Sequence, residues 1–96
     1  MQSYIVCCGT NGRAVIVGEC DTEPVCGDPI TLRNARMVLY WPAACGGLFG
    51  LAAKGPKAGL RLTESVATTA TEAVRQWLTV PGEVADQLRA WPAYVG

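Results

Sequence analysis

Ser3-Tyr4-Ile5-Val6-Cys7-Cys8, Gly9-Thr10-Asn11-Gly12 and Arg13-Ala14-Val15-Ile16-Val17-Gly18-Glu19-Cys20 together decide the fold. The outer two segments are rich in β-branched and aromatic residues, which suit a pleated, half-buried surface. Strand alternation sets Val15 and Val17 on one face and Ala14, Ile16 and Cys20 on the other. Asn11-Gly12 supplies the positive φ angles that a tight hairpin turn needs. The stretch reads as strand, turn, strand.

Working outward, residues 21–29 carry Asp21, Glu23, Pro24, Gly27, Asp28 and Pro29 and read as a loop. Ile30 to Arg33 predicts a third strand, Asn34-Ala35 a second tight turn, and Arg36 to Trp41 a fourth strand. In that fourth strand Met37, Leu39 and Trp41 alternate with Val38 and Tyr40. Both faces are apolar, so the strand is expected to be central or covered on both sides. Pro42 ends it. Leu48, Leu51 and Ala52 fall at helical spacing and predict a short helical turn at 46–53, stopped by Gly55-Pro56. Leu60 to Glu64 reads as a short strand. Over 66–80 two signals compete. Thr69-Ala70-Thr71-Glu72 has the form of a capping box, while Val74, Gln76, Leu78 and Val80 alternate at strand period. The strand reading is preferred. Pro81 at a helix start, acids at Glu83 and Asp86 and Arg89 near the end predict a C-terminal helix over 82–91. Its buried stripe is Val84, Leu88 and Trp91. The expected class is therefore α+β, mostly β: a small antiparallel sheet or partly open barrel opened by a β-hairpin, in one domain over 1–96.

Half of the 96 residues are hydrophobic and only 17% are charged, against roughly 25% in ordinary globular domains. A chain of this length buries only about 60–70% of its unfolded surface. Large apolar patches are uncommon on monomers, so self-association is expected. Eight basic residues balance eight acidic ones, and the basic residues are scattered. Nucleic-acid binders usually show a basic excess or a basic face, so nucleic acid is a weak candidate partner. Met1 to Val6 lacks a basic start and a long apolar run, so no secretory signal is expected. The longest uncharged stretch, Met37 to Ala53, is shorter than the ~20 residues of a membrane helix and is broken by Pro42, Gly46, Gly47 and Gly50. No membrane span is expected.

Histidine is absent, which removes the commonest general base and metal ligand. Five cysteines with no signal segment read as reduced thiols, mostly core residues, in a cytoplasm. Cys7 and Cys8 point to opposite faces of a strand, and Cys20 and Cys26 have no matching second pair, so neither a metal nor a cofactor is expected. Glu64, Glu72, Glu83 and Asp86 could supply a carboxylate pair, but their spacing selects none. Lys54 and Lys57, in the loop that follows the helical turn, could meet an anion; they also suit a plain solvated turn. Arg33 and Arg36 flank the Asn34-Ala35 turn. Their guanidiniums could hold a carboxylate or phosphate, or pair with Asp28 or Glu64 in the same chain. Leu48, Phe49 and Leu51, with Gly46, Gly47, Gly50 and Ala52 allowing close approach, are candidates for contact with a second copy. Trp91 and Tyr94 are further interface candidates.

Several of these stretches together resemble a family of short uncharacterised proteins encoded by tailed phages and prophages. The similarity lies in Ala14-Val15-Ile16-Val17-Gly18-Glu19, in Leu32-Arg33-Asn34-Ala35-Arg36-Met37-Val38-Leu39-Tyr40-Trp41, in Gly47-Leu48 to Leu51-Ala52-Ala53-Lys54-Gly55, in Thr71-Glu72-Ala73-Val74 and in Leu88 to Tyr94. The resemblance implies a phage origin, no catalytic residues, and a strand over 71–80. The function expected is that of a non-catalytic accessory protein of the bacterial host cytoplasm, homo-oligomeric. It would bind a host defence protein or sequester a small anionic, nucleotide-like signal. The alternative is a virion component, a capsid decoration or tail protein.

Overall fold

The computed structural model describes residues 1–95. The chain runs β1 (Gln2–Cys8), β2 (Ala14–Cys20), β3 (Thr31–Tyr40), α1 (Gly47–Lys54), β4 (Arg61–Leu62), β5 (Val66–Ala70), β6 (Val74–Val80) and α2 (Gly82–Ala90). This is an α+β fold dominated by an open antiparallel sheet in the order β4-β3-β2-β1-β6. β5 joins β4 on the edge of β3 away from β2, β4 beside Val38–Tyr40 and β5 beside Thr31–Ala35. The hairpin β1–β2 runs in unbroken register from Gln2↔Cys20 to Cys8↔Ala14. Residues 74–80 form a strand on β1 and not a helix. Thr69, which would have capped a helix, lies on β5 opposite Leu32, and the Thr71 hydroxyl accepts from the Ile30 amide and donates to the Glu72 carbonyl.

β5 and β6 lie at opposite ends of the strand order, yet only residues 71–73 join them. So short a link requires the sheet to curl. Backbone hydrogen bonds lace the curl at one end: Gly27 and Val74 bond at 2.7 Å, Val74 and Asp28 at 2.9 Å, and Thr71 and Ile30 at 2.8 Å. Inside lies a cluster of Tyr4, Val6, Cys8, Ile16, Leu32, Ala35 and Val74. Trp77 closes on Tyr4 edge to face at 5.7 Å, a favoured aromatic geometry. The opposite face carries the larger core: Ile5, Cys7, Val15, Val17, Val38, Leu62 and Val80 meet Leu51 and Ala52 of α1 and Val84, Ala85 and Leu88 of α2.

Three sequence expectations are corrected. Asn34-Ala35 is not a turn, because Thr31–Tyr40 is one continuous strand. Val17 faces Arg36 and Glu19 faces Arg33, so Gly18 alone opposes both Asn34 and Ala35. That is a β-bulge. Asn34 takes the left-handed conformation at φ 49, which asparagine tolerates better than most residues. A Cβ on Gly18 would stand 2.9 Å from the Leu32 Cβ, so the bulge demands glycine opposite it. The extra residue shifts the alternation: Leu32 and Ala35 share the inner cluster, while Val38 joins the larger core.

Arg36, expected on the surface, is turned under α2 by the same bulge and is only 5% exposed. Its Nε donates to the Thr63 carbonyl at 2.8 Å. Its Nη1 donates to the carbonyls of Leu88 at 2.7 Å and Trp91 at 2.6 Å. These acceptors include the unsatisfied carbonyls and the negative dipole end of α2.

The fourth-strand segment is central, flanked by β2 on one side and by β4 and β5 on the other, with Met37 and Leu39 exposed. The third correction concerns α1. α1 packs on the chain's own sheet beside α2, so Leu51 is wholly buried in the monomer core and is not an interface residue. Among the described residues, no helix is long and apolar enough to cross a membrane.

Candidate functional site

The β1–β2 turn is built from Gly9 (φ 77), Asn11 (φ 57) and Gly12 (φ 66), with the Gly12 amide donating to the Gly9 carbonyl at 3.1 Å. Gly12 adopts the left-handed conformation, which favours glycine. A Cβ there would touch the Arg75 Cδ at 3.8 Å and the Arg75 Cβ at 3.9 Å. Arg75, on β6, therefore lies against the turn that Arg13 follows.

These two arginines stand at the rim of an open cleft of about 840 Å3 between the turn and α1. Its floor is Cys7, Val15 and Val38, and Leu39, Trp41 and Leu48 complete the apolar wall. Asn11 and Gln76 add two amides. No carboxylate lines it. The nearest acid at the turn is Glu72, whose Oε2 lies 3.0 Å from where a Gly9 Cβ would stand, at the turn's other end and outside the lining. The ion pairs among the described residues are Arg33–Asp21, Arg89–Glu19 and Arg89–Asp86, so neither Arg13 nor Arg75 is neutralised. Two guanidiniums without an ion pair beside an apolar floor are groups that can meet a carboxylate or phosphate. Burial, with Cys8 beside it, pushes the Cys7 thiol above the ordinary cysteine range. Cys7 therefore stays protonated at neutral pH and is a poor nucleophile.

The four cationic candidates from the sequence fall in three places. Arg33 is in an exposed ion pair with Asp21 at 2.7 Å, not with Asp28 or Glu64. Arg36 is buried under α2, with its Nε and Nη1 committed to backbone carbonyls. Lys54 and Lys57 come together with Trp91 and Gln87 around a depression of about 410 Å3. Lys54 ends α1 and Ala90, also in that lining, ends α2. Lysines there complement two helix C-termini, which accounts for their position without a ligand.

Among the interface candidates, Phe49 is 66% exposed. It borders a depression of about 290 Å3 with Ala52, Ala53, Leu78, Thr79 and Pro81. Leu48 is half-buried and belongs to the cleft wall. Trp91 is tied to its own chain through its indole N–H, which donates to the Leu60 carbonyl at 2.9 Å. Tyr94 stacks on Arg61, whose guanidinium carbon lies 4.7 Å from its ring centre and 5.3 Å from that of Tyr40. Of the five thiols, Cys7, Cys8 and Cys45 are buried, Cys20 is half-buried and Cys26 is exposed. Among the described residues, no three His, Cys, Asp or Glu side chains cluster as metal ligands do.

Sequence reasoning passed over Arg13 and Arg75. Arg13 carries a local signal, because it adjoins the Asn11-Gly12 turn. Arg75 carries none: only the pairing of β6 with β1, across most of the chain, brings it to that turn.

No curated protein and no solved structure matches the chain. Residues 1–88 match the family described as Domain of unknown function (DUF6948), and a match over so much of its length means that the chain belongs to that family.

Proposed function

We propose that this protein is a non-catalytic binding domain that holds a small anionic ligand in the cleft between the β1–β2 turn and α1. The observation that carries the reading is the pair of unneutralised guanidiniums, Arg13 and Arg75, above an apolar floor. Catalysis is not part of the proposal. The cleft offers no carboxylate and no histidine, and its one thiol is held protonated. The phage resemblance supplies the setting: an accessory protein in a bacterial host cytoplasm that sequesters a signal or engages a host protein. Pyrophosphate is a direct probe for isothermal titration calorimetry. Wild type should bind it saturably. Arg75→Gln or Arg13→Gln should each weaken binding about tenfold, since hydrogen bonds to charged groups contribute roughly 1.5–3 kcal/mol. Lys54→Gln should leave it unchanged. Absence of binding by wild type, or loss of binding with Lys54→Gln alone, would remove the cleft reading.

The proposal includes self-association through the exposed Phe49 and its apolar neighbours Ala52, Ala53, Leu78 and Pro81. Phe49→Asp would bury an unpaired charge at such a contact, costing several kcal/mol. Because Phe49 is exposed in the monomer, the variant should keep its fold by circular dichroism and become smaller by light scattering. An unchanged size would show that α1 is not the contact.

A further inference from the structure

We infer that the ligand of the Arg13–Arg75 cleft is a phosphate monoester bearing a heteroaromatic ring, the size of a mononucleotide, with its ring against Trp41 and its phosphate on the two arginines. The inference rests on the anion-binding reading of the cleft given above. A bare inorganic anion would engage the rim and leave the rest of a cleft of about 840 Å3 empty. That volume falls in the range of roughly 300–1,000 Å3 typical of sites for drug-sized ligands. What lines the remaining space is suited to a planar ring. Trp41 is half-buried and lines the wall, and indole is a sequence-tolerant stacking surface for nucleobases. Asn11 and Gln76 each offer both donors and an acceptor, which is what the edge of a heteroaromatic base requires. Guanidiniums match phosphate oxygens in a bidentate manner.

A nucleic-acid strand is a poorer fit than a single nucleotide. The formal net charge is zero, and among the described residues the lining contains only two cations. A polyanion groove needs a longer run of positive charge to displace counterions.

Calorimetric titration of wild type with adenosine 5′-monophosphate and with ribose 5-phosphate separates the ring from the phosphate. The nucleotide should bind about tenfold more tightly, as one stacked base would confer. Trp41→Leu, shown folded by circular dichroism, should reduce the two affinities to near equality while leaving ribose 5-phosphate unchanged. The wild-type comparison needs no variant and stands if Trp41→Leu fails to fold. Equal binding of the two ligands by wild type would overturn the ring component and leave the anion site intact. Binding of neither would overturn both.

Discussion

Replacing Arg36 with leucine should lower the stability of the protein by about 3 kcal/mol or more, read as a fall in melting temperature on the order of 15 °C. The guanidinium is buried and donates to carbonyls of Thr63, Leu88 and Trp91. Leucine would fill part of the volume but leave the Thr63 and Trp91 carbonyls without this donor and the Leu88 carbonyl with only the long 3.4 Å bond from the Trp91 amide, and each orphaned buried group costs about 1–3 kcal/mol. The positive charge also sits at the negative end of α2, an interaction that leucine forfeits. Arg33→Leu is the control. Its side chain is exposed and paired with Asp21, and exposed pairs contribute little, so the change should stay within about 0.5 kcal/mol. Similar melting temperatures for the two variants would contradict the buried-cap role of Arg36.

Gly50→Ala should be comparably damaging, although alanine in place of helical glycine ordinarily stabilises by roughly 0.5–1 kcal/mol. Gly50 lies inside α1, and a Cβ there would clash with the Cys45 carbonyl oxygen. Backbone cannot yield as a flexible side-chain tip can, so α1 must shift or its preceding turn must open. A loss of about 2–3 kcal/mol is expected from such overpacking. Because α1 carries Leu48 into the cleft wall, ligand affinity should fall with stability. Gly82→Ala is the counterpart. It opens α2, and a Cβ there meets nothing within 4 Å, so it should be neutral or slightly stabilising. Urea unfolding of both variants gives the comparison. An unperturbed Gly50→Ala would mean that α1 does not pack against the turn at 43–45 as described.

These two residues show where the sequence could be read and where it could not. The β1–β2 hairpin was legible because its signals are local: alternating apolar faces on either side of Asn-Gly. The helices near 46–53 and 82–91 were legible for the same reason, from spacing and from proline and glycine punctuation. Asn34 misled because positive φ suits a tight turn and a bulge equally. Only the glycine opposite, on another strand, distinguishes them. Arg33 and Arg36 look interchangeable in sequence, and the bulge between them sends one outward and the other beneath a helix. Phe49 and Leu51 likewise look alike, but α1 lies on its own sheet and turns only Phe49 away. The cleft was hidden because Arg13 and Arg75 meet through a pairing of β1 with β6 that no local pattern records.

The most direct measurement of the cleft is a titration of 15N-labelled protein with pyrophosphate, followed by amide and indole chemical shifts. Saturable shifts are predicted at the rim, at Asn11, Gly12, Arg13, Arg75 and Gln76, with Lys54, Lys57 and Trp91 unmoved. Shifts centred on Lys54, Lys57 and Trp91, or none at the turn and β6, would contradict it.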